Sequence, residues 1–554
     1  MFNLEALMFN RRTLMSGMAA GLASVRWGHS PFCSDSRGPM RTRKLLVFLC
    51  LISLSMHLFA ANVLLRNVRV YDGTGKPPFP ADVRIQGDRI TAVAKHLDPE
   101  PGETVRDEHG LALAPGFIDM HSHGDLGLLE DLDAATVSRQ GVTTIFVGQD
   151  GYSHFPLRDY FAGLEKTPAA INVASMIGHT TLREQAMGKD LFRPSKPEEL
   201  AKMKALLASE LQAGAFGLST GLEYEGSHFA DTEEVVELSK IAAASGGFYI
   251  SHVRDEGNKV FASYDEILRI GREAKIPVEI SHIKLSTTPV WHLAAKRMPA
   301  YFATAQREHI DLKADVYPYT YWQSTIRVLV TDRDFYNPDK VAKALADNGG
   351  ASSIRLVRYT PEPMMAGKTL DQIATAWKVT PVEAYMRIVK ATQPEDNSGV
   401  GMEFIIGTTM SEDDVRWFIA QPQIMFCSDG ILHDAHPRGA GSFPRVLGRY
   451  VRELKVLPLE TAIYKMTDLS ARQLGLKDRG RIAEGYVADL VVFDPVTVID
   501  QSTIEQPEAP PLGIPEVMVS GEWIIDGSEV TGKHPGRVLR SPAYRPTAAS
   551  NYPK

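Results

Sequence analysis

Cysteine is almost missing: the 554 residues hold only Cys33, Cys50 and Cys427. The first two lie in the opening 61 residues, so removal of that segment would leave Cys427 alone and no intramolecular disulfide possible. Stability must then come from a buried core, which a body of roughly 490 residues can supply. An excess of basic charge is missing as well, since 60 Lys+Arg face 67 Asp+Glu and the formal net charge is −7. Residues 1–61 carry seven Lys/Arg and two acids, so the body without them stands at −12. That balance, with no long basic run, excludes a nucleic-acid partner, which needs a cationic stripe to displace phosphate counterions. A composition of 44% hydrophobic and 23% charged residues likewise excludes disorder, collagen and coiled coil.

The apolar run Leu45–Leu58 has 14 residues, short of the roughly 20 that cross a bilayer. It follows the basic stretch MRTRK and precedes small residues, which is the order of a secretory signal cut near Ala60 or Ala61. A membrane anchor is the competing reading. Upstream, NRRTLMSGMAAGLA resembles a twin-arginine signal, and Met40 is an alternative start. Either route exports the chain to the periplasm or beyond, with residues 1–61 as leader and no integral membrane domain after its removal.

What the body does contain is two textures. NVLLRNVRVYDG and DVRIQGDRITAVA alternate apolar and polar residues around Gly87-Asp88, and GRIAEGYVADLVVFDP and VMVSGEWIIDG repeat that character near the other end. These predict antiparallel strands of one small β domain, residues 62–114 with 476–545. Between them, over 115–475, short apolar runs alternate with helical patterns, the rhythm of βα units and a parallel sheet. In one unit Asp231-Thr232 starts a helix, Val235, Val236, Leu238, Ile241 and Ala242 form its buried stripe, and Gly246-Gly247 ends it. The next strand, FYISH, ends in His252, and one βα repeat later VEISH ends in His282. Residues 325–423, with Pro-interrupted helical patterns and polar loops, read as a helical insertion before the last barrel strand.

The chemistry sits where strands meet loops. In PGFIDMHSHGD, His121 and His123 are two positions apart, so a strand aims both imidazoles the same way. Asp150 lies 29 residues after His121 at the end of the next apolar run, His252 and His282 are 30 apart, and Asp429 follows IMFCSD. Histidines and carboxylates gathered at the carboxyl rim of a parallel barrel are the composition of a zinc-type site. Asp150 also reads as a turn residue before Gly151. Arg254, Asp255 and Glu256 either orient His252 or form a solvated turn.

HSH after PGFID, YISHVRDEG, VEISHIK, ADVYPY, SDG and the closing GRIAEGYVADLVVFD resemble the amidohydrolase superfamily, and GLSTGLEYEG, HVRDEG and HPRGAGSFPRVLGRYVRE resemble its N-acyl-D-amino-acid deacylases, over roughly residues 62–540. The resemblance implies an α/β fold, a distorted TIM (β/α)8 barrel beside a small β-sandwich made by both chain ends. It implies one or two Zn²⁺ ions per subunit, with His121, His123 and Asp429 at one metal position and His252 and His282 at the other. Asp150 stands where many D-aminoacylases have a bridging cysteine, a departure toward a harder donor. The implied reaction is hydrolysis of N-acyl-D-amino acids by metal-activated water, with Asp429 as general base and acid. Arg438 matches the family's carboxylate-binding arginine, and Lys284 and Tyr317 or Tyr319 match its other substrate contacts. A D-residue dipeptidase, a cyclic amidase and a non-catalytic exported metal-binding protein are the alternatives. In every enzymatic case the partner is a small acyl amino acid or dipeptide.

Overall fold

The computed structural model describes residues 62–392 and 402–546. The leader assigned to residues 1–61 lies outside the described residues.

The described residues open on β1 (Asn62–Val70), β2 (Phe79–Gln86), β3 (Arg89–Ala94), β4 (Thr104–Asp107) and β5 (Ala112–Pro115). β2 and β3 form the expected hairpin, with Gln86 opposite Arg89 and Gly87 at φ 64°. In β1 the alternation is shifted by a bulge at Asn67 (φ 56°), so that Val63, Leu65, Val68 and Val70 all reach one core.

The second texture supplies β6 (Phe117–Asp119), β7 (Val142–Val147), β8 (Asn172–Ser175), β9 (Ile177–Gly178), β10 (Gly217–Gly221), β11 (Phe248–His252), β12 (Val278–Ile280) and β13 (Leu312–Val316). After β14 (Trp322–Ser324), which directly precedes the insertion, and β15 (Ile354–Tyr359) and β16 (Glu403–Gly407) within it, β17 (Ile424–Phe426) completes the series. The parallel strands form two sheets, β6-β7-β8 and β9-β10-β11-β12-β13-β17. Backbone hydrogen bonds span both gaps: Phe216 N–H to Ser175 C=O, 3.0 Å, on one side, and Met120 N–H to Phe426 C=O, 3.4 Å, followed by His123 N–H to Gly430 C=O, 2.9 Å, on the other. Ile118, Phe146, Met176, Phe248, Ile250 and Met425 share one buried cluster beneath the strand ends. Filling the middle with side chains closes the lower end, so chemistry is left to the upper rim.

The helix read from the sequence spans Thr232–Ala244, with the Asp231 carboxylate accepting the Glu234 N–H at 2.8 Å and Gly246 at φ 72° after its end. Glu234, in the first turn of this helix, is buried and holds His179 (2.7 Å) and Arg183.

The remaining strands, β18 (Leu490–Phe493), β19 (Glu516–Val519), β20 (Glu522–Asp526) and β21 (Glu529–Val530), join β1–β5 in one nine-stranded sheet. It is one sheet folded back on itself: Ile90 exchanges backbone hydrogen bonds with Tyr486 and Gly485, just before β18.

Two boundaries differ from expectation. The insertion is not purely helical, because β15 and β16 pair antiparallel with β14 at their side, and the helix Glu412–Ala420 packs on β13 and the helix Ala294–Arg307, where Trp417 stacks on Phe302 at 6.3 Å. Residues 536–541, assigned with the β domain, run beside β8, where Val538 bridges Val173 and Leu539 joins the cluster beneath the rim.

Candidate metal centre

His121 and His123 lie just past β6, where the chain passes between the ends of β7 and β17: Ser122 N–H donates to Phe146 C=O (3.0 Å) and Asp429 N–H to His121 C=O (2.8 Å). The second bond couples residues three hundred positions apart. Below them, buried Asp119 accepts from the N–H groups of Ser428 (2.8 Å) and His121 (3.3 Å), tying β6 to the segment after β17. Asp315 accepts the His282 N–H at 2.7 Å in the same manner.

Three of the expected site residues adopt left-handed backbone: Asp150 (φ 55°), His282 (φ 33°) and Asp429 (φ 50°). Such conformations cost non-glycine residues on the order of 1–3 kcal/mol each and concentrate at functional sites. Asp150 is pressed against the end of β10 so closely that a Cβ on Gly221 would lie 2.3 Å from the Asp150 carbonyl oxygen.

All six expected ligands converge. His121, His123, Asp150 and Asp429 each bring one ligand atom within 4.8 Å of the others, and Asp150, His252 and His282 do likewise. Asp150 is common to both groups. Its Oδ1 lies 3.4 Å from Nε2 of both His121 and His282, while Oδ2 lies 3.4 Å from His123 Nε2 and 3.9 Å from His252 Nδ1. Asp429 Oδ1 faces His121 at 3.5 Å and His123 at 3.4 Å. The His121 side chain is fully buried, yet neither of its ring nitrogens has a hydrogen-bond partner, nor does Asp150 Oδ1. Polar atoms buried without a partner are costly. A divalent cation satisfies imidazole nitrogens and carboxylate oxygens together, and this nitrogen and oxygen donor set fits zinc. Of the six, His123 is the most accessible, its side chain 24% exposed.

The charges reinforce one another. Burial opposes a charge on His123, but Asp150 and Asp429 lift its imidazole to about 10. Burial also works against ionised Asp150, yet His121 and His282 hold it far below the ordinary carboxylate range. Asp429 is held low in the same way, by Arg438 and His282 against burial. Carboxylates that draw protons onto histidines would draw a dication in their place.

Arg438 is buried, pairs through Nη1 with Asp429 Oδ2, and lies 5.0 Å over the Tyr317 ring; its Nε has no partner. His436 accepts the Arg438 N–H at 3.0 Å and so fixes the start of the helix Arg438–Arg445. Lys284 is buried too, bonded to both oxygens of Glu256 (2.8 and 2.9 Å) and 2.7 Å from His282 Nδ1. The Tyr319 hydroxyl bonds Pro437 C=O (3.4 Å), Asp500 (3.3 Å) and Ser502 (3.4 Å). Of the triplet after His252, only Glu256 reaches the cluster, 3.1 Å from His282 Nδ1. Arg254 pairs with Glu266, and Asp255 accepts N–H groups of its own turn.

Sequence reasoning missed Glu223, whose Oε2 lies 2.9 Å from His252 Nε2, and Tyr224, whose hydroxyl lies 3.2 Å from His252 Nδ1. The available signal was their position directly after β10, at the same rim as the ligands.

The amidohydrolase family model matches residues 104–318 and 365–525. A D-aminoacylase of Alcaligenes xylosoxydans xylosoxydans is 37% identical over 503 residues, covering 86% of this chain and 97% of its own. A solved D-aminoacylase described by its binuclear metal centre superimposes with TM-score 0.76 at 35% identity, over 86% of this chain and 99% of that one. The N-acyl-D-glutamate deacylase of Bordetella bronchiseptica, solved with zinc and a phosphonate mimic of the tetrahedral intermediate, superimposes with TM-score 0.76 at 33% identity, over 87% of this chain and 100% of that one. Sequence, fold and the convergence of histidines with carboxylates agree: the chain belongs to the amidohydrolase family, among the N-acyl-D-amino-acid deacylases.

Proposed function

We propose that this protein is a zinc-dependent hydrolase that cleaves the amide bond of N-acyl-D-amino acids to a carboxylate and a free D-amino acid. The observation that carries the reading is the placement of Asp150, each of whose oxygens faces one imidazole from each histidine pair. His121, His123 and Asp429 would hold one ion, His252 and His282 the other, and Asp150 would bridge. When bound, zinc supplies Lewis acidity toward the amide carbonyl and the attacking water.

Asp429 takes the proton from that water and returns it to the departing nitrogen, without which an amine leaves very slowly. Arg438 has a donor to spare, its Nε, and receives the substrate's α-carboxylate as a planar fork. Arrival of that carboxylate shares the guanidinium charge that otherwise holds Asp429 ionised, and so makes Asp429 the better base. Lys284 and Tyr317, packed with Arg438, complete the anionic subsite. Tyr319 is left to packing. The preference for D-substrates is supported by the named activities of the relatives.

We also read the parallel strands β6–β13 and β17, with β8 and β9 as two pieces of one strand interrupted at Met176, as one distorted (β/α)8 barrel, and residues 1–61 as an export leader, which N-terminal sequencing of the exported protein would test. The deciding experiment for the function measures bound zinc after purification, then product release from N-acetyl-D-amino acids, the L-enantiomers and D-residue dipeptides. Turnover confined to acyl-D-amino acids is expected. Tight zinc with no turnover of any of them would overturn the reading in favour of a binding protein.

A further inference from the structure

The two histidine pairs are supported differently. His121 has no partner on either ring nitrogen. His252 and His282 each have a carboxylate behind the ring, on the side away from Asp150: Glu223 Oε2 at 2.9 Å from His252 Nε2, and Glu256 Oε1 at 3.1 Å from His282 Nδ1. Glu256 is also committed to Lys284 and lies 3.7 Å from His252 Nε2, too far for a hydrogen bond. Glu223 is thus the hydrogen-bond acceptor for His252 Nε2. Both residues are buried, and the Leu222 N–H bonds the His252 carbonyl at 3.0 Å, fixing the loop that carries the carboxylate.

From this geometry we infer that Glu223 is a positioning residue for metal binding, acting through His252. A carboxylate can only accept a hydrogen bond, so it selects the ring form with the proton on Nε2. The lone pair is then left on Nδ1, the nitrogen that faces Asp150 Oδ2 and His282 Nε2. Without Glu223 the proton is free to move to Nδ1, where the Tyr224 hydroxyl oxygen, 3.2 Å away, can accept it; the ring then presents no lone pair to the ion. The ion at the His252/His282 position depends on a residue that does not touch it.

The inference rests on the metal-site reading above, and its test separates the two. Metal-stripped parent, Glu223→Gln and Glu223→Ala proteins are titrated with Zn²⁺ and with Co²⁺, whose visible spectrum reports the coordination. Glu223→Ala should weaken the ion of the His252/His282 position about 10–100-fold. Glu223→Gln, whose amide oxygen still accepts from Nε2, should recover most of that loss. Turnover by the alanine variant should return in excess metal with KM unchanged. Parent-like affinity in Glu223→Ala would overturn the inference, whereas a parent that binds no ion would overturn the metal-site reading itself. Should the alanine variant fail to fold, ¹⁵N-histidine spectra of the metal-free parent decide. The His252 signal, assigned by its loss in His252→Asn, must show a protonated Nε2 and a bare Nδ1; the opposite form would refute the role of Glu223.

Discussion

Replacing Lys465 with methionine would remove an ammonium from a place where nothing anionic faces it. The side chain is fully buried in the helix Leu459–Met466, behind β17. Its Nζ donates to the Ile419 carbonyl and lies 4.8 Å over the Phe426 ring, and no carboxylate pairs with it among the described residues. Burial pushes its pKa down from 10.5 to about 7. Between those values the unfolded chain binds more protons than the folded one, so this group makes stability rise with pH across the window. Below about pH 7 both states are charged and the whole penalty is present; above about pH 10.5 both are neutral and it is gone. A depression of roughly 3.5 units corresponds to about 4–5 kcal/mol. Methionine fills a similar volume but leaves the Ile419 carbonyl without its donor, which returns on the order of 1 kcal/mol. The net gain is about 3–4 kcal/mol near pH 6, which for a folded body of roughly 480 residues raises Tm by about 3–4 °C. Urea and thermal unfolding of parent and variant at about pH 6, 8 and 10 would show the advantage shrinking with pH. A variant less stable near pH 6, or an advantage that does not change with pH, would refute the reasoning.

At the centre itself, Asp429→Ala should abolish hydrolysis while metal analysis still finds the ion of the His252/His282 position; an ion-free variant would contradict the division of roles. Arg438→Ala should raise KM for free-acid substrates about 30–100-fold, the effect of losing a charge-assisted pair worth roughly 2–3 kcal/mol. Equal affinity of the parent for free and amidated substrates would remove the reason for that assignment. Tyr319→Phe should leave KM unchanged and cost about 1 kcal/mol of stability in urea unfolding, because the hydroxyl bonds Pro437, Asp500 and Ser502. A KM shift without a stability change would restore Tyr319 to the substrate's side.

The amino-acid order alone fixed what depends on neighbours along the chain. The cap at Asp231, the stripe from Val235 to Ala242 and the two-residue turn at Gly87-Asp88 are local chemistry, and all three stand in the fold. The 29- and 30-residue spacings of His121 to Asp150 and of His252 to His282 were legible for a related reason: one βα repeat returns the chain to the same rim. The strands in and beside the insertion were not, since β14 and β15 pair with a segment far along the chain, and short apolar runs look alike until a partner selects extended pairing. Nor did pattern reveal that residues 536–541 leave the β unit to lie beside β8. Tertiary structure alone decided that Asp150 faces both histidine pairs, that Glu223 backs His252, that Arg438 turns to Asp429 and that Tyr319 turns elsewhere. Periodicity says which end of a strand a side chain occupies. The direction of a carboxylate or a ring nitrogen is set by groups from distant segments packed within a few ångströms, and those exist only once the barrel is assembled.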